Sequence, residues 1–534
     1  MSVTINQLWL PIFRQRPLLM IGLCLLLIGL PLSLFLTSLS QFFLAGSFIL
    51  EGSWKKKLGR FFSNRMALLL AGVWFMHAIG MAWTTDLQEG LHDLRVKLPL
   101  LLLPLILAGS GPLLPEQFRF LLRLFVASVT TATLILTAVL IGWIPVEIHD
   151  VRDIFIFKIS HIRFALFTCL AIVICYWLPN DAHARGTKSN WIIALLIAGW
   201  LSFFLMITAS ATGLLILLFL LFILITHTLF TRISTRLRIA LGVLMVGSML
   251  IVINYITGIY KEVNVIHDYP GKSEAYSAEG TFYLNEPLRH DYENGYRVWC
   301  YISDPELQRE WNKRSHYPYD SLDARGQLLR STLIRFLSSK GLRKDAEGVA
   351  HLRPEEIKGI ENGIANINYL TMSTIQIRLR EIVWEFTDYR ISGDANGHSI
   401  TQRLEFWRAA SWLIERSPII GIGTGDMPQG FRTAYTSLGS RLSQKSQLRS
   451  HNQYLALCVA FGLLGLIYFL TVVVLPFFLT ANSRDTLFLG FWLIVMASML
   501  TEDTLETQPG ATFFALFFAL FLFSRSNQST SDVR

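Results

Sequence analysis

Charge is what this sequence has too little of: Asp, Glu, Lys and Arg make up 16% of its 534 residues, against about a quarter in an ordinary soluble domain. Beside a hydrophobic content of 52%, that shortage excludes a conventional soluble enzyme. Cysteine is scarce too. The five residues Cys24, Cys169, Cys175, Cys300 and Cys458 form no CxxC pair, which excludes a disulfide framework and a thiolate zinc site. Nucleotide signatures are missing. The run Gly421-Ile422-Gly423-Thr424-Gly425-Asp426 is neither a Walker loop nor a Rossmann fingerprint, because no strand precedes it and no Lys-Ser/Thr follows. It fits a tight turn after a helix ending near Pro418, or else a backbone nest for an anion. No internal repeat or low-complexity tract is present.

What the chain does have is apolar length. Thirty-seven Phe and 14 Trp suit lipid contact and interfacial anchoring, so the expected class is an all-α polytopic integral membrane protein. The net charge of +9 could point to nucleic acid. Much of it lies in short loops beside spans, however, where it sets topology, and no nucleic-acid partner is expected. Arg14 and Arg16 precede an apolar run without a small-residue cleavage site, which reads as a retained anchor.

A membrane span needs about 20 residues. Residues 17–50 therefore hold two helices, broken near Pro31. Further spans are expected near 66–83, 96–109, 118–144 and 161–178. Two more lie in 191–230, hinged at Ala209-Ser210-Ala211-Thr212-Gly213, followed by 239–257, 453–479, 486–500 and 510–524, about twelve in all. With a cytoplasmic N-terminus, the basic loops 55–65 and 231–238 fall inside by the positive-inside rule. The acidic loop of Asp86, Glu89 and Asp93 then falls outside, along with loops 145–160 and 501–509. The resulting division is an N-terminal transmembrane region (1–258, about nine helices), a large external domain (259–452), a C-terminal transmembrane region (453–524, about three helices) and a cytoplasmic tail (525–534). The external domain reads as mostly helical. Pro305 and Pro354 sit where first-turn prolines belong, 374–389 and 399–416 are amphipathic, and 264–299 suits loops or short strands.

The stretch Arg449–Gly465 is the candidate site. A polar segment runs directly into an apolar helix, with His451 at the boundary. Ser450 is the expected cap, which puts the imidazole in the positive first turn, where a neutral ring able to act as a general base is favoured. The same residue also fits a plain interfacial histidine heading a helix packed through Gly462 and Gly465. Arg163, Arg403, Arg408 and Arg449 could clamp a lipid diphosphate, since a guanidinium fork matches phosphate oxygens. Each of them equally fits snorkelling to lipid phosphates. Glu502, Asp503 and Glu506 suit a divalent ion, polarisation of a hydroxyl, or an ordinary solvated acidic loop. They make no recognised metal spacing with His451.

On these residues the chain resembles the O-antigen ligase and polymerase superfamily, the Wzy C-terminal domain family. That family's hallmark is His-Asn/Ser/Gln, nine residues, then Gly-x-x-Gly/Thr/Tyr. Here it reads His451-Asn452, nine residues, Gly462-Leu463-Leu464-Gly465. Upstream, Arg403 through Trp407 to Gly421-Ile422-Gly423-Thr424-Gly425 resembles the family's Arg, aromatic and Pro-x-x-Gly-x-Gly run before the histidine. The long insert, including Ser338 to Ala346, looks like a Bacteroidetes-type version. One departure stands out: where the family commonly has Ser-Arg-x-Gly at the hinge, this chain has Ser210-Ala211-Thr212-Gly213.

The resemblance implies a GT-C-like membrane glycosyltransferase at the periplasmic face of the inner membrane, with no cofactor and no metal. Its donor would be a glycan on undecaprenyl diphosphate. His451 would deprotonate the acceptor, while Arg403 with Arg163 would neutralise the diphosphate, and Arg408, Arg449 and Asn452 would contact substrate. The acceptor would be lipid A-core for a ligase, a growing O-antigen or capsule chain for a polymerase, or protein Ser/Thr for an O-oligosaccharyltransferase. Ligase is the leading expectation. From other classes, a lipid or glycan transporter and a non-catalytic glycan-binding relative are the alternatives. The lack of inverted repeats and mid-span charges argues against transport.

Overall fold

The computed structural model describes residues 13, 16–146, 154–187, 190–208, 213–220, 234–267, 269, 275–286, 291–481 and 485–524. The expected hinge at Ser210, Ala211 and Thr212 lies outside them. Prolines and side-chain caps cut the apolar sequence into defined helices. Pro17–Leu32 gives way at Ser33, whose hydroxyl accepts from the Leu36 backbone N–H at 3.2 Å and starts Leu34–Leu50. This is the break expected near Pro31. Asn64 starts Arg65–Gly80 in the same manner, accepting from Met66 and Ala67.

Among the described residues, four helices are long and apolar enough to cross a membrane: Arg65–Trp83, Pro115–Leu140, His161–Ala184 and Gln453–Leu479. A fifth arises if Leu34–Leu50 and Trp54–Ser63, bent by 117°, count as one. Hydropathy alone suggested about twelve. Part of the gap is filled by shorter apolar helices, Pro17–Leu32, Trp191–Ile207, Thr486–Ser498 and Gln508–Leu522. Gln508–Leu522 is buried from Gly510 through Leu522, so protein rather than lipid can account for its apolar surface. An apolar run has the same appearance in either solvent. The chain is a mostly helical membrane protein.

It divides into two compact units. The second unit comprises Arg232–Glu405 and Ser440–Ser446. Its core gathers Leu307 and Trp311 of Asp304–Arg314, Leu333 and Phe336 of Leu329–Ser339, and Ile357 and Ile360 of Pro354–Glu361. Pro305 and Pro354 occupy the first turns, as the sequence indicates. The amphipathic segments form Thr374–Ser392 and Ser399–Arg416, the latter extending past the unit's boundary at Glu405. A small antiparallel pair, Tyr292–Glu293 with Tyr296–Arg297, lies in the stretch read as loops or short strands. Lys344 is buried and donates to the Arg297 and Cys300 carbonyls at 3.0 Å each. Burial pushes its ammonium down to about 7.

The first unit comprises Met1–Thr231, Phe406–Gly439 and Gln447–Arg534. It is built around a seam between the glycine run and the motif helix. Gln453–Val474 is interrupted at Gly462, which takes φ 64° and ψ −162°. The backbone released there pairs with the turn after Pro418. Leu463 N–H donates to Pro418 O at 2.8 Å, Ile422 N–H to Val459 O at 2.9 Å, and Gly423 N–H to Ala460 O at 2.9 Å. A Cβ on Gly462 would lie 2.2 Å from the Ile419 backbone, and one on Gly421 would lie 2.3 Å from Phe461 N. The far side of the turn is fastened as well. Thr424 Oγ1 donates to His77 O at 2.6 Å, and the Asp426 carboxylate accepts from Thr85 N–H at 3.0 Å and Asp86 N–H at 2.8 Å. The glycines therefore serve close packing and a tight turn, the first of the two readings of that run.

Gly462→Ala should lower the thermal unfolding midpoint of the purified protein, because a Cβ meets backbone and the left-handed torsion alone costs about 1–3 kcal/mol. An unchanged midpoint in calorimetry would contradict the seam's role.

Candidate active site

His451 stands where the chain enters Gln453–Val474, but two positions earlier relative to the helix start than the sequence suggests. The cap is Asn452 rather than Ser450. Its Oδ1 accepts from Leu455 N–H at 3.1 Å, while its Nδ2 donates to Leu500 O at 3.0 Å. The Asn452 carboxamide is thus engaged with the helix and its neighbour. Ser450 is fully buried and donates to Asn452 O at 2.9 Å. A carboxamide reaches the N3 amide as readily as a hydroxyl does, and the extended backbone of Asn452 is the cap geometry. His451 consequently lies outside the first turn, where the helix dipole has less purchase.

Its backbone is left-handed, φ 46°, a region that costs a non-glycine residue energy and persists only when the surroundings impose it. Two neighbours on the Ser399–Arg416 helix do so. Trp407 Nε1 donates to Ser450 O at 3.1 Å, and the Phe406 ring lies 5.5 Å from the imidazole at an interplanar angle of 32°. The twist turns the imidazole into a cavity of about 210 Å³. There Nδ1 lies 3.6 Å from Glu502 Oε2. Arg163, Arg449, Asp503 and Glu506 share the lining.

Glu506 is the electrostatic hub. Its carboxylate accepts from Lys97 Nζ at 2.8 Å, Arg449 at 3.0 Å and Gln453 Nε2 at 3.2 Å. Lys97 is 1% exposed and also bonds Asp93 at 2.5 Å, while Arg449 reaches Glu89 at 3.0 Å. Burial alone would raise the Glu506 pKa, but Lys97 and Arg449 outweigh it and hold the group at about 2. Asp503 goes the other way. Burial, with Glu506 and Glu502 beside it, lifts it to about 6 despite His451 and Arg449. Its Oδ1 and the Nε of Arg163 are buried without a hydrogen-bond partner among the described residues. Glu502 and Asp503, 6% and 7% exposed, are not a solvated loop. Among the described residues, no group of three or more His, Cys, Asp or Glu has metal-holding geometry.

The structure thus brings His451, Arg163 and Arg449 together with the acidic loop. Arg408 is exposed, and Arg403 belongs to the second unit; neither lines this cavity. Residues 358–470, which include the glycine run, His451 and the Gly462 break, match the family model described as O-antigen ligase. By that match this segment is similar to the O-antigen ligase family. No curated protein matches the chain significantly.

Sequence reading missed Lys97 and the joining of Glu89 and Asp93 to Glu506. Lys97 sits at the edge of an apolar run, and its partner is 409 residues away. A lone lysine heading a hydrophobic segment, four residues after an aspartate, was the available signal.

Because the folded Glu506 pKa lies below its ordinary 4.5, its ionisation stabilises the fold above that value, and the contribution disappears as pH falls toward about 2. Glu506→Gln should destabilise the fold at pH 7 by on the order of a few kcal/mol, read as a lowered unfolding midpoint. It should also flatten the acid-side loss of stability. Parallel acid titrations of the two proteins would refute the hub.

Proposed function

We propose that this chain is a membrane glycosyltransferase that moves a glycan from undecaprenyl diphosphate to an acceptor hydroxyl at the periplasmic face of the inner membrane. The preferred role is that of an O-antigen ligase with lipid A-core as acceptor. The observation that carries this reading is His451, held in a left-handed turn and facing Glu502 inside a polar cavity, within the segment that matches O-antigen ligase.

The chemistry follows from the arrangement. With Glu502 on the Nδ1 side, Nε2 is the nitrogen suited to take a proton. The acceptor oxygen attacks the anomeric carbon as His451 removes its proton, and the bond from that carbon to the diphosphate oxygen breaks. The lipid diphosphate is already an activated leaving group, so neither a nucleotide nor a metal is required. Five carboxylates line the cavity against two guanidiniums, Arg163 and Arg449. That balance favours a neutral hydroxyl over a diphosphate, so the cavity suits the acceptor end. The family resemblance gives charge neutralisation of the leaving group to Arg403 with Arg163, and a substrate contact to Arg408 on the Arg403 helix. Arg163 carries an unsatisfied buried N–H and is the cavity's own candidate for a substrate oxygen. Asn452 would act by fixing the helix cap. Periplasmic sidedness is supported by the positive-inside reading of the basic loops.

Protein reconstituted with undecaprenyl-diphosphate-linked glycan and lipid A-core should transfer glycan in EDTA. His451→Ala should lose about 100-fold or more in rate, the scale of general-base catalysis. Arg163→Ala should fall by on the order of 10- to 100-fold. Undiminished transfer by His451→Ala would overturn the base assignment. Transfer only to a growing glycan chain would convert the ligase into a polymerase.

A further inference from the structure

The second unit contains a cleft of about 670 Å³, within the roughly 300–1,000 Å³ of small-molecule sites. Its walls are cross-linked by hydrogen bonds and an ion pair. Glu293 is held by Arg335 at 2.6 Å and by Asn366 Nδ2 at 2.7 Å. Asn294 donates to Ser339 O at 2.8 Å and receives Asn368 Nδ2 at 3.2 Å. The Trp384 indole is fixed by donating to Tyr292 O at 3.2 Å and by an edge contact with His398 at 5.3 Å between ring centres.

Against this tied framework two polar atoms are left over. Glu385 is 6% exposed, and its Oε2 has no hydrogen-bond partner among the described residues; the same holds for Arg380 Nε. Both residues line the cleft. The other Glu385 oxygen lies 3.6 Å from Arg378. Leaving a buried acceptor and a buried donor unmade costs about 1–3 kcal/mol each, so a ligand that offers both a hydroxyl hydrogen and an acceptor oxygen is favoured here. The lining also presents Trp384, Tyr292 and Tyr369, whose faces suit C–H-rich rings, together with planar amides. Its four glutamates outnumber its three arginines, which leaves no positive surplus for a nucleic acid or other polyanion.

We propose that this cleft binds a neutral or amino-sugar oligosaccharide segment. Glu385 accepts from a sugar hydroxyl, Arg380 donates to a sugar oxygen, and Trp384 stacks on a pyranose face. The identity of that glycan as the one transferred rests on the function proposed above; the binding itself does not.

The test uses full-length protein in detergent and, as probe, glycan released by mild acid from the lipid carriers of the producing cells. Binding is followed by saturation-transfer NMR and equilibrium dialysis. Wild type should bind saturably. Trp384→Ala and Glu385→Gln should each weaken binding by about tenfold, and Trp384→Phe should restore most of what Trp384→Ala loses. His451→Ala should bind as wild type does while failing in transfer. Absence of saturable binding by wild type, or wild-type binding by both Trp384→Ala and Glu385→Gln, would overturn the proposal. Intact binding with no transfer by wild type would overturn the glycosyltransferase reading and leave the cleft standing.

Discussion

The first unit depends on an exchange of backbone hydrogen bonds across the Gly462 break. A helix interrupted among apolar side chains leaves amides and carbonyls that have no water to pair with, and each one unpaired is expensive. Here the turn after Pro418 supplies the missing partners to Val459, Ala460 and Leu463, and the interruption becomes a joint. The two elements that flank His451 meet at that joint. The motif helix runs upward from it to Asn452, and the Ser399–Arg416 helix leads down to it while presenting Phe406 and Trp407 to the histidine turn.

Charge is arranged with similar economy. A chain with few ionisable groups concentrates several of them in one buried cluster, where Lys97 and Arg449 hold Glu506 ionised and leave Asp503 the harder one to charge. Adjacent carboxylates with opposed shifts are a common mark of acid–base sites. Here the contrast arises from which carboxylate faces the buried cations.

Much of this was legible in the sequence where the signal is local. Pro31, Pro305 and Pro354 mark helix boundaries because proline's missing N–H allows few positions. The two amphipathic helices of the second unit were readable from spacing, and the His451 motif from its fixed distance to Gly462. The rest was illegible for reasons equally physical. Ser450 and Asn452 are both good caps, and only the backbone torsions choose between them. Glu506 finds Lys97 through the fold, not along the chain. Gln508–Leu522 is buried from Gly510 through Leu522, and because the interior of a membrane protein is as apolar as lipid, hydropathy does not show which of the two surrounds it.

The scattered cysteines acquire a use in this light. Cys169, Cys175, Cys300 and Cys458 are free and buried, and Cys24 is half-buried. The native chain is therefore a quiet background for thiol chemistry. Single cysteines introduced into the loops can report, through impermeant maleimides, which side of the bilayer each loop occupies, without first stripping the protein of its own sulfur.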